Sequence, residues 1–201
     1  MYPRIVGILL DDAQSMSSTQ IKYLVGDATE PQTADPTVIA HIVNDKAPSW
    51  GAGFGKALAV KWPEAQKSFR QWAQVDKSHL QLGNSHSTKL SDNLYAFHMV
   101  AQRGYLPRPH PLIRYQALDS CLKSLAKFAG EHSARIQMPL IGTGHAGGNW
   151  LLIEELVRER LTAVGLEVTV LTLPGDARPT VNRPGSVGSP QLTLLLGEQS
   201  T

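Results

Sequence analysis

Short apolar runs alternate along the chain with segments whose apolar residues recur every three or four positions. The short runs predict buried strands because β-branched residues dominate them, and the longer segments predict amphipathic helices. The predicted strands cover 21–27, 37–43, 134–142 and 166–173, and the predicted helices cover 54–62, 63–73, 112–129 and 151–164. Strands that alternate with helices imply an α/β fold with a largely parallel sheet covered on both faces.

Two runs in the middle of the chain predict a departure from the parallel pattern. Residues 80–90, "LQLGNSHSTKL", and 93–102, "NLYAFHMVAQ", lie on either side of the turn-forming cluster "SDN". Two strands joined by so short a turn pair with each other. We therefore expect a mixed sheet.

The two ends of the chain differ in composition from the region between them. Residues 1–18 hold one short apolar run and the polar stretch "DDAQSMSS", which predict an N-terminal arm or an accessory strand. Residues 175–201 are rich in Pro, Gly and Ser, and too little apolar surface is available there to offset the entropy of ordering. This predicts a flexible tail after a single domain at 19–174.

Composition excludes some classes of function. The 19 Lys and Arg against 17 Asp and Glu give a net charge of +2, too little to indicate a nucleic-acid partner. The apolar run at 5–10 is much shorter than the about 20 residues of a membrane span, so no membrane partner is expected. Cys121, the single cysteine, is expected to be a small buried residue, and an intracellular, cytoplasmic location fits this cysteine usage. No Cys/His spacing indicates a metal site.

Two glycine-rich loops follow predicted strands and precede predicted helices. They are "NDKAPSWGAGFG", at 44–55, and "GTGHAGG", at 142–148. Ligands of open α/β sheets bind outside the carboxyl ends of the strands, where free N–H groups and the positive ends of helix dipoles meet. Two such loops would suit a diphosphate. Glycines in strand-to-helix turns also serve tight packing, so that alternative stays open.

The order of three segments resembles the macro domain, a family that binds ADP-ribose. The segments are "VGDAT" at 25–29, "AHIVND" with "SWGAGFGKAL" at 40–58, and "MPLIGTGHAGGNW" at 138–150. The resemblance covers 21–174 and implies a three-layer α/β/α sandwich with a mixed, largely parallel sheet. The segment "SWGAGFGKALAVKWPEAQKSF" is most similar to the branch that hydrolyses ADP-ribose 1''-phosphate.

The resemblance also implies which residues bind the ligand. Asp27 would accept a hydrogen bond from the amino group of adenine, although it could instead cap the turn after its strand. The glycine loops would contact the diphosphate and the distal ribose, and Trp50 would cover the sugar or wedge the loop. The implied ligand-binding residues are Asp27, Ala28, Asn44, Trp50, Gly51, Ala52, Gly53, Phe54, Gln102, Arg103, Gly142, Thr143, Gly144, Ala146 and Gly147. Tyr105 and Arg114 are further candidate contacts.

Three residues are candidates for catalysis of phosphomonoester hydrolysis. Asp45 would orient the attacking water or act as the base, and His145 or His41 would protonate the leaving sugar oxygen. Asp45 could instead stabilise its loop, and His41 could be a core histidine. The catalytic patterns of other branches need side chains that Gln102, Ala146, Phe54 and Gly55 do not provide.

These observations predict an ADP-ribose-binding hydrolase that acts on a small derivative such as the 1''-phosphate, without a cofactor. Two alternatives stay open. The first is a hydrolase that removes ADP-ribose from protein or nucleic acid, and the second is a non-catalytic reader of ADP-ribosylated macromolecules. A monomer is favoured, although the sequence leaves the oligomeric state open.

Overall fold

The computed structural model of the chain describes residues 20–105 and 109–175. The predicted arm at 1–18 and the predicted tail from 176 onward lie outside the described residues. The strands are β1 (Lys22–Val25), β2 (Thr37–Asn44), β3 (Ser85–Ser91), β4 (Leu94–Gln102), β5 (Arg135–Pro139) and β6 (Val168–Thr172). The helices are α1 (Gly53–Lys61), α2 (Pro63–Val75), α3 (Tyr115–Glu131) and α4 (Trp150–Arg160), with short 3₁₀ helices at Lys77–Leu80 and Thr162–Val164.

The six strands form one mixed sheet in the order β1-β6-β5-β2-β4-β3. Every neighbouring pair is parallel except β3 and β4, which are antiparallel. The predicted strand pair and the largely parallel sheet are therefore confirmed. Since β2 and β5 pair in parallel as neighbours, the loops that follow them begin side by side, at the carboxyl ends of the strands.

Helices cover both faces of the sheet and give the predicted three-layer α/β/α architecture. The larger core lies between the sheet and helices α3 and α4, and it includes Cys121. The thiol of Cys121 donates a hydrogen bond to the carbonyl oxygen of Asn84 at 3.3 Å. Burial raises the pKa of this thiol to about 12, so Cys121 is an apolar core residue as expected. The smaller core lies under α1 and α2 and contains Trp50 and Phe69.

The prediction of a buried first strand is wrong in one respect. β1 lies at the edge of the sheet, and Leu24 and Val25 are 42% and 52% exposed. An apolar run in the sequence does not distinguish a central strand from an edge strand, because β-branched residues favour both. None of the helices in the described ranges is long and apolar enough to span a membrane.

Candidate functional site

A cavity of about 650 Å³ opens at the carboxyl ends of β2 and β5. Both glycine loops line it, the first through Gly51 and its neighbours and the second through Gly144 and its neighbours. The lining residues are His41, Ile42, Val43, Asn44, Ala47, Ser49, Trp50, Gly51, Ala52, Gly53, Phe54, Gly55, Gln102, Tyr105, Pro139, Leu140, Ile141, Gly142, Gly144, His145 and Ala146. The structure thus brings the two loops together at one site.

The two loops approach each other at Gly53 and His145. Gly53 has a φ of +58°, and a Cβ atom at this position would lie 3.6 Å from Nδ1 of His145. Glycine adopts this backbone conformation without the steric cost that other residues pay. The main chain of the first loop and the imidazole of the second loop therefore lie close together at the wall of the cavity that both loops line.

The amino end of α1 presents hydrogen-bond donors at this space. Ala52 occupies the N-cap position, and alanine has no side-chain oxygen that could accept a hydrogen bond from the first turn. The main-chain N–H groups of Gly53, Phe54 and Gly55 have no partner among the described residues. These N–H groups and the positive end of the helix dipole favour an anion at this position.

The second loop offers main-chain donors from the loop itself. The N–H groups of Gly144, His145 and Ala146 have no partner in the described ranges, whereas Gly147 donates to the carbonyl of Gly144 at 2.9 Å. The helix that follows is already capped, because Asn149 accepts a hydrogen bond from Leu151 N–H at 3.0 Å. The amino end of α1 thus has free N–H groups at the cavity, whereas Asn149 satisfies one N–H group of the first turn of α4.

A second, more open pocket of about 450 Å³ adjoins the cavity at Gly53. Asp27 and Thr29 form one side of it, and Lys56, Ala57, Val60 and Lys61 of α1 form the other. Oδ1 of Asp27 accepts hydrogen bonds from the main-chain N–H and the hydroxyl of Thr29, at 2.8 and 2.9 Å. Asp27 therefore caps its turn, as the alternative held, and its other carboxylate oxygen has no partner among the described residues.

Two amide side chains at neighbouring strand ends have fixed orientations. Oδ1 of Asn44 accepts hydrogen bonds from Lys46 N–H at 2.9 Å and from Ala47 N–H at 2.7 Å. Nε2 of Gln102 donates to the carbonyl of Gly104 at 2.7 Å. Since both residues line the cavity, Asn44 is left with an amide donor for a bound molecule and Gln102 with a carbonyl acceptor.

A solved structure allows the family to be assigned, although no family model matches the chain. A macrodomain protein from Streptomyces coelicolor is 33% identical with a TM-score of 0.67, and the match covers 76% of this chain and 99% of that one.

The chain belongs to the macrodomain family.

Two curated relatives extend the comparison of this macrodomain. Chromodomain-helicase-DNA-binding protein 1-like from Danio rerio is 32% identical over 174 residues, or 80% of this chain. The macrodomain corresponds to only 17% of that protein's length. ADP-ribose 1''-phosphate phosphatase from Lodderomyces elongisporus is 27% identical over 161 residues, and the match covers 75% of this chain and 98% of that protein.

Several predicted site residues of the macrodomain do not line the cavity. Asp45 accepts a hydrogen bond from Gly104 N–H at 2.7 Å and lies 3.8 Å from Nζ of Lys46, so it holds the loop after β4. The hydroxyl of Thr143 donates to Leu140 at 2.8 Å. Ala28 and Gly147 contribute main-chain atoms to internal hydrogen bonds.

The two predicted arginine contacts also lie outside the cavity lining. Arg114 donates to the carbonyl oxygens of Pro111 and Ile113 at 2.8 and 2.9 Å, and it therefore braces the loop that precedes α3. Arg103 is exposed and donates through its main-chain N–H to Leu112. Tyr105, from the same predicted segment, lines the cavity and is 56% exposed.

His41 belongs to a row of three histidines that crosses the sheet, here called the histidine ladder. His41, His98 and His86 are direct neighbours on β2, β4 and β3. A hydrogen bond of 2.7 Å joins Nε2 of His41 to Nδ1 of His98, and another of 3.2 Å joins Nε2 of His98 to the hydroxyl of Thr88. Ser68 of α2 is hydrogen-bonded to His86 at 2.8 Å.

Burial keeps the histidine ladder uncharged at neutral pH. It lowers the pKa of His41 to about 3 and that of His86 to about 4, and it also lowers the pKa of His98, with further lowering from the two neighbouring histidines. His41 is only 2% exposed. A residue that is neutral, buried and bonded to another histidine is a poor general acid, so the structure favours the core alternative for His41.

Trp50 packs into the interior beside the ladder. Its ring lies 4.9 Å from that of His41 and 5.4 Å from that of Phe69, measured between ring centroids. Its Nε1 is buried and has no hydrogen-bond partner in the described part of the chain. The tryptophan therefore wedges the first loop from below, which is the second of the two roles considered for it.

Sequence reasoning missed residues that depend on contacts across the sheet. Ser49 lines the cavity and could have been found, because it lies within the first glycine loop. Ile42 and Ile141, which also line it, resemble any other strand residue in the sequence. His98 and Gln137 lie in apolar strands, and no local signal relates them to the loops that they support.

Proposed function

We propose that this macrodomain binds ADP-ribose, with the diphosphate between the two glycine loops. The single observation that carries the proposal is the uncapped amino end of α1, which lines the same cavity as Gly144 and His145, two residues whose N–H groups have no partner within the described ranges. Main-chain donors at a helix terminus suit phosphate oxygens, and no side chain competes for them. The macrodomain relatives support this class of ligand.

The second pocket is proposed to take the adenine. The unpartnered oxygen of Asp27 is an acceptor only, so it favours the exocyclic amino group of adenine over a keto oxygen. Val60, which is 75% exposed, provides an apolar surface on the other side of this pocket. Because the two pockets meet at Gly53, one extended ligand can occupy both.

The reaction proposed is hydrolysis of ADP-ribose 1''-phosphate to ADP-ribose and inorganic phosphate. Water attacks phosphorus, the bond between phosphorus and the sugar oxygen breaks, and that oxygen takes a proton. Asn44 and Gln102 offer one donor and one acceptor, which suits a bound hydroxyl or water, and His145 is the cavity residue suited to protonate the sugar oxygen. The Lodderomyces phosphatase, matched over nearly its whole length, supports this reaction.

The proposal is tested with purified protein and ADP-ribose 1''-phosphate. Phosphate release should be measured for the wild type, for His145→Gln and for the matched control His132→Gln, which changes a histidine on the far end of α3. We expect His145→Gln to lower kcat by about 10²-fold, the usual contribution of general acid catalysis, with unchanged ADP-ribose affinity. The control should retain wild-type activity.

Other outcomes would replace this reaction by one of the alternatives. Release of ADP-ribose from a modified protein or nucleic acid, without phosphate release from the small substrate, would indicate a macromolecular ADP-ribosyl hydrolase. Binding of ADP-ribose without turnover of either substrate would indicate a reader.

A further inference from the structure

Gln137 is a buried polar residue in the middle of the sheet. It lies on β5, is 2% exposed, and has Ile39 of β2 and Thr169 of β6 as neighbours in register. Its chain neighbours Ile136 and Met138 belong to the larger core on the opposite face. A buried amide in a parallel sheet is costly unless its hydrogen bonds are satisfied.

All the hydrogen bonds of the Gln137 side chain go to one loop, residues 27–32. Nε2 donates to the carbonyl oxygens of Ala28 and Glu30 at 2.8 and 2.7 Å, and Oε1 accepts from Gln32 N–H at 3.2 Å. Both ends of the amide are thus occupied by the main chain of that loop. The satisfied amide fixes the loop to the centre of the sheet.

The path of the chain explains why this loop needs such an anchor. The segment between β1 and β2 passes from the edge of the sheet across β6 and β5, and it contains no helix. Most parallel connections carry a helix, whose main-chain groups satisfy one another. Here the carbonyl groups of the crossing segment lie against the sheet and need partners from it, and Gln137 supplies two.

The same loop is held on its other side by the end of α1. Nε1 of Trp62 donates to the carbonyl oxygen of Thr29 at 3.0 Å, and Lys61 forms an ion pair with Glu30. Thr29 is the residue that fixes one oxygen of Asp27, and its two neighbours are those that Gln137 bonds. The position of the Asp27 carboxylate therefore depends on the anchor beneath it.

On these contacts, and resting on the proposed function, we propose that Gln137 positions the loop that recognises adenine. It determines selectivity for the base without touching the ligand. Asp27 selects adenine only if its unpartnered oxygen stays at a fixed place relative to α1, and the Gln137 amide keeps it there. Loss of the amide should therefore reduce selectivity for the base more than it reduces binding of the diphosphate.

The test compares two ligands that differ only in the base. ADP-ribose carries an amino donor on its purine, whereas inosine diphosphate ribose carries a keto acceptor at that position. We expect the wild type to prefer ADP-ribose, and we expect Gln137→Met and Gln137→Glu to lower the affinity ratio at least fivefold. Gln137→Glu is nearly isosteric and keeps the acceptor for Gln32 N–H, but it loses both donors. The affinity for the inosine ligand should change less than threefold.

The control is Ile136→Val, a core truncation on the same strand whose side chain faces the opposite layer. It should lower stability and leave the affinity ratio unchanged. If the Gln137 variants lose stability but keep the wild-type ratio, the residue is only a structural element and the proposal is overturned.

Hydrogen exchange of the unliganded protein tests the anchor separately from the proposed function. The amides of residues 28–32 should exchange at least tenfold faster in Gln137→Met than in the wild type, and those of β6 should not change. Unchanged exchange at 28–32 would overturn the anchoring role whatever the ligand. If the wild type binds neither ligand, the proposed function is overturned. Faster exchange at 28–32 in Gln137→Met would in that case still support the anchor.

Discussion

The two glycine loops lie beside each other, but Gly51 of the first and Gly148 of the second serve different purposes. A Cβ atom added at Gly51 in the first loop would meet no atom within 4 Å. One added at Gly148, the last residue of the second loop, would lie 2.7 Å from the carbonyl oxygen of Gly142. Gly51 is thus free of any packing requirement, whereas Gly148 is required by the close approach of main chain and Gly142 by the side chains around it and its φ of +76°.

The layers under the loops differ as well. Ile42, Ile113 and Ile153 surround Gly142, where a Cβ atom would lie 3.0 to 3.3 Å from their methyl groups. Under the first loop lie Trp50 and Phe54, both packed against the ring of His41. One loop rests on aliphatic side chains and the other on an aromatic layer that contains titratable groups. The same residue type in the sequence therefore stands for open space at Gly51 and Gly144 and for tight packing at Gly55, Gly142 and Gly148.

The largest expected effect is a loss of stability in acid, through the layer under the first loop. The histidine ladder is neutral when folded, but each histidine titrates near pH 6.5 when unfolded. Since the folded pKa values are the lower ones, the unfolded chain binds more protons below pH 6.5, and stability is lost as the pH falls. Between pH 7 and 5 we expect a loss of about 2 kcal/mol for each of His41 and His86, or about 4 kcal/mol together, and a further loss from His98.

Denaturant unfolding at several pH values measures this loss. His98→Leu should reduce the pH dependence, whereas His110→Leu, at an exposed position, should not. The groups that face the ladder are the hydroxyls of Ser68 and Thr88 and the imidazole of His79, which stacks on Trp72 beside His86. If the free energy of unfolding depended on pH equally in the wild type and in His98→Leu, the histidine ladder would not be neutral and buried.

The next effect concerns packing in the second loop. We expect Gly148→Ala to lower the free energy of unfolding by about 3 kcal/mol, because the added methyl group must displace main chain. Thermal or denaturant unfolding at pH 7 measures the change. A variant as stable as the wild type would show that the loop adjusts freely, and the contrast between Gly51 and Gly148 would then disappear.

The smallest effect on stability is expected in the first loop. Gly51→Val should change the free energy of unfolding by less than about 0.5 kcal/mol, because the position is exposed and open. The same change should lower ADP-ribose affinity about tenfold, or about 1.4 kcal/mol, because the side chain would occupy the ligand's space. Gly130→Val on α3, another glycine with open space, is the matched control and should bind normally. Normal binding by Gly51→Val would place the ligand elsewhere.

The sequence predicted the parts of this site that follow from chain order. Strand-to-helix turns rich in glycine lie at one edge of a parallel sheet, so the meeting of 51–53 with 142–146 follows from the topology. The contact that holds the Asp45 carboxylate could not be predicted, because its partner, Gly104, lies 59 positions away. The anchor at Gln137 was missed for the same reason, since it bonds residues more than 100 positions away.

The proposed binding of a diphosphate between the amino end of α1 and the second loop can be tested by a titration of ¹⁵N-labelled protein with ADP-ribose. We predict saturable shifts of the amide signals of Gly53, Phe54 and Gly55 and of Gly144, His145 and Ala146, with little change at Gly130. An absence of shifts at millimolar ADP-ribose, or shifts confined to other parts of the chain, would contradict the proposal.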